Sequence, residues 1–376
     1  VVDFSQFLAG PYCTLRLLDL GARVIKVENP SGGDLCRRLY LSDVQIGEDS
    51  TLFHAINRGK ESVALDLKSP EGLNAARRLV ASADVMIQNF RPGVIERLGL
   101  SYADVRTIAP SIVYGSVSGY GAGSPWEALP GQDLLAQARS GIMWLSGNAA
   151  SGPVPIGLPV ADIMAGANLT QGILAALIRS ARTGRGAHVA TSLLEGLVDL
   201  QFEFLTTYLN NGRRLPQRLP TGSAHGYLPA PYGVFQTGEG QLALAMTPLA
   251  TLADALELPA LNEHAGVEGA PFSARDKIHD LLVHHLQSET AAEWEARLGN
   301  AGIWCARVLG WEDLIDSPSF KALGMANQTG NVDDPWLLRA PITVDGVRPP
   351  ANRLAPSLGA DTERVLSEFA ADPVSR

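Results

Sequence analysis

The strongest constraint on this chain is an alternation that fills its first 120 residues, where short β-branched runs take turns with stretches of helical period. Strands that alternate with helices of this length pair in parallel, because a parallel neighbour needs a crossover and the helix supplies it. The pattern predicts a strand over 1–5, a helix over 11–20 ended by Gly21, and a strand over 23–28. A strand over 62–67 follows, and Ser69, Pro70 and Glu71 then supply an N-cap, a first-turn proline and an early acid for a helix running towards residue 83. Strands over 84–90 and 112–118 flank a helix opened by Ser101 and Asp104 at capping-box spacing and stopped near Pro110. The expected fold is α/β, a doubly wound, Rossmann-like parallel sheet.

With 376 residues the chain exceeds what one core usually serves, so two domains are expected. Residues 132–182 read as mostly helical, with a long apolar helix over 163–181 closed by Thr183, Gly184, Arg185 and Gly186. A strand over 187–191 and a second long helix from Ser192 come next. Gly, Arg and Pro then accumulate from Asn211 to Pro231, before strands over 233–236 and 241–245. This places a large domain at 1–211, completed by 326–376, and a smaller α+β domain at 212–325. In the tail, Leu354 and residues 362–369 are expected to add a strand edge and a helix to the first domain. The chain opens inside its first expected strand, so a few residues are expected upstream.

Several function classes lose their anchors. The net charge is -9 and the arginines come as isolated pairs such as Arg37-Arg38, so no basic run can track a nucleic-acid backbone. Three cysteines without a CxxC spacing suit neither a disulfide framework nor a zinc site, and a reducing cytoplasm fits them. No unbroken apolar run reaches bilayer length and no signal-peptide pattern opens the chain, so no membrane partner is expected. Metal-protease and nucleophile-elbow motifs do not occur, and no metal ligand set is expected. The glycines at 119, 121 and 123 lack the helix that a dinucleotide loop must open, since Pro125 follows.

A doubly wound sheet binds ligands beyond the carboxyl ends of its strands, which directs attention to the loops at 6–10, 29–34 and 89–93. Apart from these, a single acid stands out: Asp162, between an apolar stretch and the long apolar helix. Two readings are open. It is an ordinary helix N-cap, or a carboxylate kept ionised by a helix N-terminus and used as a nucleophile.

The chain resembles the class III CoA-transferases (CaiB/BaiF), a family that includes formyl-CoA and carnitine CoA-transferases and α-methylacyl-CoA racemases. The likeness is carried by Val2 to Ser5 with Ala9 to Tyr12, by Leu20 to Ala22, by Lys26 to Glu28 with Gly33-Asp34, and by Asn57 to Lys60 with Leu65 to Lys68. Asn89 to Gly93, Arg97 to Gly99, Ser118 to Gly121 and Thr183 to Gly186 continue it in order. The resemblance implies that Asp162 is the nucleophile and that coenzyme A or acyl-CoA is a substrate, with no permanently bound cofactor and a small carboxylic acid as the second partner. It implies CoA contacts at Leu8, Ala9, Leu65, Asp66, Leu67, Lys68, Asn89, Phe90, Arg91 and Arg97, and an interlocked homodimer. Lys68, Arg91 and Arg97 suit nucleotide phosphates; Leu8 and Phe90 suit adenine or pantetheine.

The racemases resemble the chain too, but pair the aspartate with a histidine. Gln132 stands at that place and exchanges no proton near neutral pH, so transferase ranks ahead of racemase. An acyl-CoA-binding protein without chemistry is a further alternative. Gln132 is suited to hold a substrate carboxylate, and Asp133 either assists or caps the helix that starts there. Where some transferases carry a histidine and a basic residue, this chain has Gln6 and Asn29. The glycine-rich loop of related transferases corresponds to Gly222 to Gly226, in which His225 is read as a loop residue.

Overall fold

The computed structural model describes residues 1–267, 269–329 and 334–370. Six strands form one parallel sheet: β1 (Val2–Asp3), β2 (Ile25–Glu28), β3 (Glu61–Ala64), β4 (Val85–Gln88), β5 (Val113–Ser118) and β6 (Ala187–Ser192). Their order is β3-β2-β1-β4-β5-β6, with Val2 paired to Ile25 on one side and to Met86 on the other. This is the doubly wound order, and it reverses between β1 and β4, where the crevice beyond the strand ends must open.

The helices form where local chemistry asks for them. In α1 (Ala9–Asp19) buried Cys13, Leu15 and Leu17 face inwards. The Ser69 hydroxyl accepts from the Gly72 N–H at the start of α2 (Pro70–Ala81), and Ser101 and Asp104 close a reciprocal capping box on α3 (Tyr102–Ile108). A core of Val2, Phe4, Val27, Val63, Leu79, Met86, Leu100 and Tyr114 lies beneath them, and Val365 joins it from the tail. The tail helix Thr362–Glu368 is fastened to β3, since Thr362 accepts from the Ala64 N–H and Asp361 from the Ser62 N–H.

Two further helices matter for the site: α4 (Asp133–Ser140) and α5 (Val160–Thr183). α5 packs on α1, on β5 and β6, and on α6 (Leu193–Leu200). A Cβ at Gly166 would stand 2.5 Å from the Ala9 carbonyl oxygen, so glycine is what lets α1 and α5 touch backbone to backbone. By length and composition α5 would also suit a bilayer, but those neighbours make it a sheet-covering helix.

Contacts divide the chain into two compact units, one of 1–139, 158–200 and 322–376, the other of 140–157 and 201–321; residues 371–376 lie outside the described residues. The second unit has an antiparallel sheet of Cys305–Arg307, Gln241–Leu244 and Gly233–Gln236 in that order. Its core gathers Phe235, Leu242, Leu252, Leu282 and Trp294, and the Trp294 indole donates to the Leu286 carbonyl at 2.9 Å.

Three local expectations fail. The helix expected from Ser192 is two helices, α6 and Phe202–Asn210, broken at buried Gln201, where the chain leaves one unit for the other. Residues 141–159 are not α-helical: Gly141, Gly147 and Gly152 take positive φ, three prolines follow, and only two 3-10 turns form. Leu354 makes no strand. Its carbonyl accepts from the Gly59 N–H, and Pro349, Pro350 and Pro356 prevent a ladder around it.

Candidate active site

Asp162 is the third residue of α5, and the residue before that helix is Pro159, which offers no side-chain acceptor. The free N–H groups of the helix start are met from elsewhere: Asp133 Oδ2 accepts from Ala161 N at 2.7 Å and from Asp162 N at 3.2 Å. Its Oδ1 accepts from Gln137 Nε2 at 2.6 Å. The N-cap reading of Asp162 therefore gives way, because Asp133 performs that task from 29 residues upstream. Freed of it, the Asp162 carboxylate accepts a hydrogen bond from the backbone of Ala9, the first residue of α1, whose own N-cap, Leu8, provides no side-chain cap. The carboxylate thus sits at the positive ends of two helices.

Asp133 is delivered by a loop closed at its neck. A Cβ on Gly119 would lie 2.7 Å from Gly131 Cα, and one on Gly131 would lie 2.5 Å from Gly119 Cα, so the two backbones cross at a distance open only to glycine. Within the loop the Tyr120 hydroxyl donates to the Pro130 carbonyl at 3.1 Å. The Arg139 guanidinium stands 4.9 Å from the Trp126 ring and 5.4 Å from that of Tyr120.

The Asp162 carboxyl is pushed up to about 7. Burial is the main cause and the negative charge of Asp133 the second, while the Ala9 hydrogen bond acts in the opposite direction. At neutral pH the group is therefore about half ionised, and as a base it is stronger than an ordinary aspartate.

The Ala9 N–H is held in place by the loop after β1. Phe7 there has φ +60°, a left-handed conformation costly for a side chain of this size, and the surroundings impose it. Gln6 is held on both sides by Asn89, whose Oδ1 accepts from the Gln6 N–H at 2.8 Å and whose Nδ2 donates to the Gln6 carbonyl at 2.7 Å. Asp34 accepts from the Phe7 N–H at 3.2 Å, and Lys26 donates to the Ser5 carbonyl at 2.8 Å while pairing with Asp34 at 2.8 Å. Deeper still, Lys60 reaches Asp3, Thr14, Asn57 and the Pro11 carbonyl, all within 3.1 Å. The Asp3 carboxyl is held down at about 2: burial opposes ionisation, and Lys60, Lys26 and hydroxyl hydrogen bonds overcome it.

Lys26, Asp34, Asn57 and Lys60 lie in stretches that carry the family resemblance, and the sequence alone shows no task for them. One signal was present: Lys26 and Glu28 interrupt a central parallel strand, where both faces are buried and charge must be paired.

The remaining candidates divide by exposure. Lys68 and Arg91 are exposed on the loops beyond β3 and β4, at the carboxyl edge of the sheet, and Arg97 is exposed at the end of the short helix Val94–Arg97 that follows β4. Leu67 and Phe90 are half-buried against the core beneath them, and Leu65 is spent within it. Asp66 accepts from the Lys68 N–H at 3.0 Å. Gln132 is exposed, and its carbonyl accepts from the Ala136 N–H at the start of α4. In the smaller unit Gly222 accepts from the Val234 N–H and His225 lies against Phe204, ring centroids 4.2 Å apart. That unit also holds a cavity of about 800 Å³ lined by Trp144, Phe204, Tyr208 and Tyr227 among others; Asp162 does not line it. Among the described residues no cluster of His, Cys, Asp and Glu is arranged to hold a metal ion.

Comparison with known proteins gives a consistent result. The model of CoA-transferase family III matches residues 1–362. The chain is 32% identical over 380 residues to the succinate–glutarate CoA-transferase of Agrobacterium fabrum, covering 98% of this chain and 94% of that one. It is equally 32% identical, over 378 residues, to the acetyl-CoA:oxalate CoA-transferase of Acetobacter aceti, with 99% and 95% covered. Among solved structures, a CaiB/BaiF family protein from Brucella suis superposes with a TM-score of 0.84 at 31% identity, over 98% of this chain and 97% of its own. A parallel sheet of order 3-2-1-4-5-6, an acid at two helix starts and matches along nearly the whole chain agree, and the chain belongs to CoA-transferase family III.

Proposed function

We propose that the chain moves CoA from an acyl-CoA donor to a small carboxylic acid, with Asp162 as the nucleophile. The observation that carries this is the release of Asp162 from capping: Asp133 occupies the N–H groups of α5, and the Asp162 carboxylate is left half-buried at two helix N-termini.

An Asp162 oxygen attacks the thioester carbonyl; the C–O bond forms, the C–S bond breaks and CoA thiolate leaves, giving an acyl-aspartyl anhydride. The thiolate then attacks the aspartyl carbon, releasing the donor as its carboxylate and leaving an aspartyl-CoA thioester. The acceptor carboxylate displaces CoA from that thioester to form a second anhydride. Thiolate attack on the acceptor acyl carbon finally yields the new acyl-CoA and restores Asp162. The helix starts supply fixed dipoles for the oxyanions of these steps.

Lys68, Arg91 and Arg97 hold the nucleotide phosphates at the sheet's carboxyl edge, with Phe90 and Leu8 beside adenine and pantetheine. The backbones of Leu8 and Ala9, the 65–68 turn and Asn89 frame the crevice. Gln132 holds the free carboxylate of the second substrate. The acids named for the relatives are succinate, glutarate and oxalate, so the acceptor is a small dicarboxylic acid. The working form is an interlocked homodimer in a reducing cytoplasm.

Incubation with acyl-CoA alone, followed by hydroxylamine and peptide mapping, tests the core of this reading. An aspartyl hydroxamate at Asp162 is expected; its formation elsewhere, or nowhere, overturns the assignment.

A further inference from the structure

The nucleophile's partner is as informative as the nucleophile. We infer that Asp133 is a positioning residue that drives Asp162 into its covalent forms, a step that deepens the proposed function and rests on it. Asp133 Oδ2 bridges Ala161 N and Asp162 N at 2.7 and 3.2 Å, so one carboxylate replaces the cap that Asp162 would otherwise be. It also places a negative charge beside a second carboxylate in a half-buried site.

Two like charges at close range cost free energy, and only one process in the reaction removes that cost. When an Asp162 oxygen bonds to the acyl carbon and CoA thiolate departs, the aspartyl group becomes neutral and the charge leaves with sulfur. The repulsion therefore raises the free carboxylate and leaves the anhydride and the aspartyl thioester untouched. A neutral residue at 133 would preserve the cap and lose this bias.

The other groups on the elements packed against the start of α5 do not compete. Cys13 of α1 is pushed up to about 12 by burial, as is Cys36 in the 3-10 turn Leu35–Arg38 beyond β2, and both stay neutral thiols. Arg16 pairs with Asp19 at 3.2 Å, beside Tyr12. On α6, Glu195 accepts from Ser192, and Asp199 lies exposed at the far end. β5 and β6 meet α5 two turns further on, at Leu169, Gly172 and Ile173.

The test compares wild type with Asp133→Asn and Asp133→Ser, both of which keep an oxygen to accept from the helix N–H groups. Circular dichroism establishes the fold, the pH profile of kcat/KM reports Asp162, and hydroxylamine trapping after acyl-CoA alone reports the covalent fraction. The acid limb should move about one pH unit lower in the variants. The trapped fraction at pH 8 should fall several-fold, and kcat should fall more than KM changes. An unmoved limb with an unchanged trapped fraction in folded variants overturns the role of Asp133. So does the unfolding of both, which would make it a structural cap alone. Absence of any adduct in wild type would instead defeat the nucleophile reading, so the two failures are distinguishable.

Discussion

Replacing Asp162 by asparagine should make this protein inactive and, above neutral pH, more stable. The activity half is chemical: an amide is a far poorer nucleophile than a carboxylate, so turnover should fall by several orders of magnitude with kcat and kcat/KM affected together. The stability half follows from linkage. In the unfolded chain the carboxyl titrates near 3.8, and in the folded protein near 7. A folded-state value above the unfolded one means that stability is fully present below about pH 4, declines as pH rises, and has lost its share above about pH 7. Three pH units correspond to about 4 kcal/mol. Because the side chain is only half-buried, solvent screening reduces this to about 2 kcal/mol. Asparagine has nearly the same shape, keeps an oxygen for the Ala9 N–H and carries no charge. Thermal scans of the two proteins should therefore coincide near pH 4 and separate by a few degrees at pH 8, with the variant the more stable. Equal melting at both pH values, or a larger gain at pH 4 than at pH 8, would refute the electrostatic account. More than about a tenth of wild-type turnover would refute the nucleophile.

Asp3→Asn should cost about 3–5 kcal/mol in urea titrations at pH 7, because it leaves the fully buried Lys60 without its counter-charge. In wild type the Asp3 contribution is present above about pH 4 and lost as pH falls towards its folded value of about 2, and the variant should lack this dependence. The Gln132 amide is neither a working acid nor a working base near neutral pH, so a 2-methylacyl-CoA should not acquire deuterium at its α-carbon from heavy water; incorporation as fast as transfer would favour a racemase. Interlinked chains separate only by unfolding, so light scattering on dilution should show no folded monomer. A species near 39.9 kDa with native circular dichroism and activity would rule the interlinked form out.

What could be read from the sequence was local, and what could not was tertiary. The parallel strands were legible because both faces of a doubly wound sheet are buried and their apolar runs are punctuated by helices at a fixed rhythm. The caps at Ser69 and Ser101 were legible because donor and acceptor lie within three residues. The cap on α5 was not, because its acceptor lies 28 residues before Ala161 and reaches it through a loop whose neck, Gly119 against Gly131, exists only once the chain is folded. The exchange of chain between the two units at 140–157 was hidden for the same reason, since a helical period cannot reveal which core a segment will join.

The resemblance had a different blind spot. It assigned ligand contacts to the residues beyond the strand ends, whereas Lys26, Asp34, Asn57 and Lys60 act one layer below them. They are buried, and through Ser5, Phe7 and the α1 backbone they hold the loop that presents the Ala9 N–H to Asp162. Such residues are demanded by the site without meeting its substrate. A carboxylate can be kept half-buried beside another only where a scaffold of this rigidity prevents Asp162 from swinging out to water and its partner from collapsing onto the freed helix start. Loosening the scaffold should therefore bring the Asp162 carboxyl back towards the ordinary range of an aspartate before it unfolds the sheet.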